Sequence, residues 1–402
     1  MLPSATEPAA RGSAVEVLLA FLKLGLTSFG GPVAHLGYFR DEFVTRRRWL
    51  DDRSYGDLVT LCQFLPGPAS SQVGMALGLM RARWLGALAA WVGFTLPSAL
   101  VLILFALGVT AWPTLASSGV VHGLEIAAVA VVAQAVWGMA RSLCPDRLRA
   151  SIAIGAALVA LALPGAAAQI GAILLGAVVG RRVLRLPPAE PPARHGFGAT
   201  RRTGAMLLVL CGLLLVALPL AAAAYPALWL RATAVVYRAG ALVFGGGHVV
   251  LPLLQSGVVP PGWVSNEVFL AGYGAAQAVP GPLFTFAAYL GAAMPSPLGG
   301  WSGGLLMLAA IFLPAFLLVA GALPFWESLR RRPDLQNAMG GINAAVVGLL
   351  IAALYDPVWT SAIHTRLDFG LALAALGLLA HMRLSPVFVV IAAASAGGLL
   401  PG

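Results

Sequence analysis

Charge is scarce in this chain. Aspartate, glutamate, lysine and arginine make up 10% of its 402 residues, against about 25% in a soluble domain. That excludes a soluble enzyme with an ordinary polar surface. Lysine is nearly missing: Lys23 is the only one, and every other basic residue is an arginine. The net charge of +10 therefore does not describe a nucleic-acid face. The arginines sit in short loops between apolar runs, which is the pattern of topology signals. Cysteine is limited to Cys62, Cys144 and Cys211. An odd count excludes a closed disulfide framework, and the spacing excludes a zinc site. All three read as small packing residues. Paired carboxylates, metal-ligand spacing and a nucleophile elbow are also missing, so no catalytic centre, metal or cofactor is expected.

Apolar length is what the chain has in abundance. Hydrophobic residues reach 59%. Residues 84–109, 204–224 and 302–324 form runs longer than the roughly 18 residues that suggest a membrane helix. The polar stretch 1–13 carries one basic residue, Arg11, and leads into an apolar run without a cleavage signal, so it is not read as a signal peptide. The expectation is an all-α polytopic membrane protein.

One unit is used twice. Phe29-Gly30-Gly31-Pro32 returns as Phe244-Gly245-Gly246-Gly247, each with a basic residue six positions earlier, Lys23 and Arg238. Gln63-x-x-Pro66-Gly67-Pro68 returns as Gln277-x-x-Pro280-Gly281-Pro282, and Trp49 and Trp263 precede the two motifs by the same interval. Leu96-Pro97 answers Leu313-Pro314. A fixed offset over so many rare residues is the mark of an internal duplication. Residues 181–203, rich in arginine and proline, read as a cytoplasmic linker between repeats at 1–180 and 204–402.

Arginine bias orients the repeats. Arg40, Arg46, Arg47, Arg48 and Arg53 lie between the first repeat's two motifs, and Arg81 and Arg83 follow the second motif. The matching stretches 255–268 and 294–301 carry no basic residue. Cytoplasmic loops are arginine-rich, so equivalent loops fall on opposite sides and the repeats are inverted. The apolar run 204–224 supplies the extra span that inverts the second. Both arginine groups flanking Pro66-Gly67-Pro68 belong inside, which a re-entrant helix, broken and folded back, satisfies. A fully spanning, kinked helix is the alternative, since membrane helices tolerate proline.

A helix broken in lipid exposes backbone groups, and such breaks persist only in protein or beside a wet cavity. The N-terminal helix ends they create favour anions. Lys23 and Arg238 each cost on the order of 3 kcal/mol at the bilayer centre, and an anion would compensate both. Lys23 otherwise snorkels to the interface. His35 and His248 follow the breaks as proton relays or as structural histidines. Gln63 and Gln277 either donate to an oxyanion or satisfy freed backbone. Ser70, Ser71 and Thr285 offer hydroxyls. Glu125, with Asn343 at the equivalent place, is a proton-coupling candidate or an interfacial carboxylate at a helix start. Trp49 and Trp263 read as interfacial anchors. The charged stretch 40–53 is a solvated face or a funnel for dianions.

These residues resemble the chromate ion transporter family in its two-domain, long-chain form. The likeness rests on Lys23 to Pro32, Trp49-Leu50, Gln63 to Pro68, Phe244 to Gly247 and Pro280-Gly281-Pro282. It implies a bacterial inner-membrane protein that exports chromate on the proton motive force and confers resistance. It also implies that the motif residues Lys23, Phe29, Gly30, Gly31, Pro32, Gln63, Pro66, Gly67, Pro68 and their second-repeat partners bind the anion. Gly247 replaces the first repeat's Pro32. Sulfate shares chromate's charge, shape and near size and is the alternative cargo; an uncoupled anion channel is the alternative mechanism.

Overall fold

The computed structural model describes residues 12–29, 31–111, 119–163, 166–185, 200–244, 249–326, 332–382 and 384–399. Gly30, Gly245, Gly246, Gly247 and His248 lie outside the described residues, as does most of the linker (186–199). All regular structure among the described residues is helical. The first series is α1 (Ala14–Thr27), α2 (Gly31–Arg40) with a π-helical continuation (Asp41–Arg46), α3 (Asp52–Phe64), α4 (Ala69–Ala111), α5 (Gly119–Leu143), α6 (Arg147–Ala162) and α7 (Ala166–Val183). Helix α8 (Arg201–Ala224) leads into a second series. This comprises α9 (Leu228–Leu242), α10 (Val250–Val258), α11 (Asn266–Ala278), α12 (Phe286–Ala293), α13 (Gly300–Ala322), α14 (Pro333–Ala353), α15 (Arg366–Ala380) and α16 (Pro386–Leu399).

Among the described residues, five segments are long and apolar enough to cross a bilayer: Ala69–Ala111, Gly119–Leu143, Arg201–Ala224, Gly300–Phe325 and Pro333–Ala362. The chain is a multi-pass helical membrane protein. Helix α8 has only 6% of its apolar window buried. One face therefore meets lipid, while Gly204, Leu207 and Cys211 on the other pack against α9 and α13.

Helix α4 is two helices back to back. Ala82 and Arg83 leave helical conformation, Arg83 with φ at +57°. Gly78 and Gly86 face each other so closely that a side chain on either would overlap the other's carbonyl. Residues eight apart in a straight helix are separated by about 12 Å, so the chain reverses at 82–83. The arms are 69–81 and 84–111. The second series repeats the arrangement with α12 and α13, where Gly291 meets the Gly303 carbonyl in the same way.

The helices ahead of the proline motifs are built alike. The Asp51 side chain caps α3 by accepting from Ser54 N–H, and Ser265 caps α11 by accepting from Val268 N–H. Both helices run for 13 residues, about 20 Å, against a hydrocarbon core of about 30 Å. Both end because a residue before proline is pushed out of helical conformation: Leu65 and Val279 are extended.

Each short helix is followed by a return. In the second series the Tyr289 hydroxyl donates to the Val268 carbonyl at 2.8 Å, so the chain doubles back around Pro280-Gly281-Pro282. In the first, Arg47 and Arg81 both reach Glu16, at 3.9 and 3.2 Å, so the segment between them leaves and returns to one place. Helices α1 and α2 double back as well, bringing Phe21 against Phe39 and Phe43. Gly25 of α1 lies against the Gly93 carbonyl, and Gly240 of α9 against that of Ile311. These equivalent close approaches seat α1 and α9 on the long arms behind them.

Candidate functional site

The two proline motifs meet the opposite repeat. Gly67 N–H donates to the Val243 carbonyl at 2.6 Å, and Gly281 N–H donates to the Ser28 carbonyl at 2.9 Å. Val243 and Ser28 are the residues before Phe244 and Phe29. The glycine of each Pro-Gly-Pro therefore bonds to the backbone that enters the other repeat's Phe-Gly-Gly break. The packing is reciprocal too. A Cβ on Gly67 would meet Ala315, just past Pro314; one on Gly281 would meet Ser98, just past Pro97. Both glycines hold positive φ, +121° and +101°. Glycine is required twice over, by conformation and by space.

Buried polar groups gather at this junction. His35 is 1% exposed; its Nδ1 lies 3.4 Å from Ser70 Oγ, its ring stands edge-on to Phe94, and the Ser28 backbone lies against it. Ser70 and Ser71 sit in the first turn of α4, where free N–H groups and the positive end of the helix dipole coincide. His35 Nε2 and the hydroxyls of Ser28, Ser71 and Thr95 find no hydrogen-bond partner among the described residues. Gln72 donates to the Pro66 carbonyl at 2.8 Å, leaving its own Oε1 without a partner there. Unpaired buried polar atoms cost roughly 1–3 kcal/mol each. Such a concentration calls for polar partners that these side chains do not supply to one another.

The cationic residues have different surroundings. Arg238 is half-buried on α9, five residues before Val243, and has no ion pair or hydrogen bond among the described residues. Lys23 has an acidic partner, which its own helix did not reveal: Nζ lies 3.1 Å from Glu42 Oε2. Glu42 also binds Arg46 at 2.9 Å and Arg47 at 2.6 Å. Burial pushes the Glu42 carboxyl up, but hydrogen bonds from Arg47 and Lys23 outweigh it and hold the group below its ordinary value. Arg81 and Arg47 share Glu16 and lie over the Trp49 ring. Four cations thus surround two carboxylates, an excess of two positive charges. Trp49, expected as an interfacial anchor, stacks on Phe43 inside this cluster.

The remaining residues divide. Phe29, Pro32 and Phe244 are half-buried around the breaks, and Gly31 opens α2 at φ +79°. Pro66, Pro68, Pro280 and Pro282 frame the two junction glycines. Gln63 and Gln277 occupy equivalent positions in sequence but not in space: Gln63 is exposed, whereas Gln277 Nε2 is buried without a partner among the described residues. Glu125 is buried, 3.4 Å from His122 Nδ1. Thr285 returns its hydroxyl to the Pro282 carbonyl. Ser28, Gln72 and Thr95 were not singled out from the sequence. Ser28 abuts the break and Gln72 follows Ser70-Ser71, which was signal enough; Thr95 lies inside an apolar run and carried none.

A family model described as "Chromate transporter" matches residues 15–181 and 230–398. The chain is 29% identical to the chromate transport protein of Pseudomonas aeruginosa over 96% of its own length and 92% of the relative's. It is 28% identical to the chromate transport protein of Cupriavidus metallidurans over 95% and 92%. A probable chromate transport protein of Synechococcus elongatus is 27% identical over 93% and 92%. No solved structure matches the chain.

Changing Arg238 to glutamine is expected to weaken oxyanion binding by the purified protein about 10- to 100-fold, the loss of one charge-assisted contact. Lys23→Gln should cost less, because Arg46 and Arg47 still neutralise Glu42. Calorimetric titration with chromate measures both. Undiminished binding in both variants rejects the assignment.

Proposed function

The chain belongs to the chromate transporter family, and we propose that it moves chromate, a tetrahedral dianion, out of the cell against an inward flow of protons. The observation that carries this reading is Arg238: a half-buried guanidinium without a partner among the described residues, five residues from the Gly67–Val243 bond. An intramembrane cation is costly unless compensated, and a dianion seated at the junction compensates it. The first turn of α4, with Ser70, Ser71 and His35, supplies donors for the oxyanion's remaining oxygens. The four-cation cluster around Glu16 and Glu42 collects anions at the cytoplasmic mouth.

The same reading takes 1–180 and 204–402 as inverted repeats joined by the linker 181–203 in a bacterial inner membrane. Each repeat contributes two re-entrant hairpins whose tips are the Gly and Pro breaks. The return of Arg47 and Arg81 to one carboxylate supports the hairpin over a kinked full span. Rocking of the two repeats about their shared junction then exposes the anion to either side, as in other inverted-repeat carriers. Export of a resident toxic anion makes resistance the physiological consequence.

Everted membrane vesicles test the cargo and the coupling. Chromate should accumulate when a pH gradient, acid inside, is imposed, and should fall when the gradient is collapsed. Sulfate, added as competitor, ranks the two oxyanions. Robust sulfate movement without chromate accumulation would replace the cargo, and flux indifferent to the gradient would make the protein a channel. Topology has its own test. With the native cysteines replaced, single cysteines at the exposed positions Arg48 and Arg83 should both react with an impermeant thiol reagent from the cytoplasmic side. Labelling from opposite sides rejects the hairpin.

A further inference from the structure

A second titratable cluster lies away from the junction and takes no part in the anion cradle. His122 of α5 stands between two carboxylates: Nδ1 is 3.4 Å from Glu125 Oε2 and Nε2 is 3.1 Å from Asp368 Oδ1 of α15. Both carboxylates are buried, with side chains 6% and 7% exposed, whereas His122 is 33% exposed. His364 is exposed and stacks on His122, ring centroids 6.1 Å apart and nearly parallel. The series runs from solvent at His364, through half-exposed His122, to buried Glu125. Asp368 is fixed in place: it accepts from the N–H groups of His364 and Thr365 and completes the capping box of α15.

Other charged groups do not neutralise the cluster. From the elements packed on α5, Glu267 of α11 adds a further negative charge near Glu125. Arg366 of α15 and Tyr355 and Asp356 of the π-helical segment Leu354–Trp359 are exposed. Helix α16 presents no titratable group among its described residues. One imidazole is therefore shared by two buried carboxylates.

We propose that Glu125, His122 and Asp368 form a proton-binding site in which the imidazole carries a proton between water and Glu125. With Nε2 held by Asp368 Oδ1, it is Nδ1 of the half-exposed ring that takes a proton from water and exchanges it with Glu125, so only N–H and O–H bonds are made and broken and no co-reactant is needed. The site is mechanically joined to the anion junction. Glu125 follows Leu124, whose carbonyl would lie 2.5 Å from a side chain placed on Gly274 of α11, and Ala278 at the end of that helix packs against the apolar cluster that holds Leu124. Helix α11 leads directly into Pro280-Gly281-Pro282. Protonation of Glu125 removes a charge from the flank of the helix that positions Gly281.

The coupling role rests on the transport reading above; the proton site itself rests on geometry alone, and the experiment separates them. Vesicles carrying His122→Gln or Glu125→Gln are assayed for gradient-driven chromate accumulation and for chromate–chromate exchange without a gradient. The ratio of the two fluxes is expected to fall at least about tenfold, the scale of losing a positioned proton carrier. An unaltered ratio in both variants overturns the coupling role. If the unaltered protein exchanges no chromate, the transport reading has failed, and the proton site is judged on its own readout. That readout is the nitrogen resonance of His122 in the purified protein, followed through a pH titration. Its midpoint must move in Glu125→Gln and in Asp368→Asn, whose side chain still caps α15. A midpoint unmoved in both variants overturns the site.

Discussion

Two backbone hydrogen bonds, Gly67 to Val243 and Gly281 to Ser28, organise the rest of the structure. Each joins a Pro-Gly-Pro motif to the opposite repeat at the residue before its Phe-Gly-Gly sequence. In a membrane a broken helix cannot leave its amides to lipid, and here each repeat satisfies the other's. The requirement explains the rare residues: proline to end the 13-residue helices, glycine for positive φ and close approach, and small Ser98 and Ala315 opposite. It also places the buried polar atoms of Ser28, His35, Ser71, Gln72 and Thr95 near one surface between the repeats.

The two repeats share backbone architecture but differ in charge. Glu42 and its three cations belong to the first; Gly257 stands near the equivalent place in the second. Arg238 has no carboxylate among the described residues, whereas Lys23 has Glu42. Glu125 is ionisable and Asn343 is not. A duplicated scaffold with unequal chemistry is what a carrier needs if one end collects anions and the other binds protons. On the proposed reading, the first repeat supplies the mouth, the second the unpaired guanidinium, and the seam between them the cradle.

Much of this was legible in the sequence because it is written in backbone terms. Pro66-Gly67-Pro68 and its repeat dictate helix ends whatever surrounds them, so the short helices and their alignment follow directly. The apolar run 204–224 became the lipid-facing helix α8. Arg47 and Arg81, which the arginine pattern assigns to the same side of the membrane, share Glu16. Side-chain partnerships between distant segments were not legible. Glu42 lies 19 residues from Lys23 and Asp368 lies 246 from His122, and no periodicity links such pairs. Gln63 and Gln277 show the limit from the other side: equal positions in a repeat, unequal burial. Trp49 was read by residue type as an anchor, and the arginines above its ring, which that reading did not include, place it in the charged cluster.

The central claim is that the anion sits where the two repeats complete each other. An experimental structure of the protein in a lipid nanodisc, with chromate or heavier tungstate bound, tests it directly. The account predicts oxyanion density between the Pro66–Pro68 and Pro280–Pro282 tips, within contact distance of Arg238 and the first turn of α4, with both tips at membrane depth. Density confined to the Arg46, Arg47 and Arg81 cluster, or tips lying at the membrane surface, would contradict it.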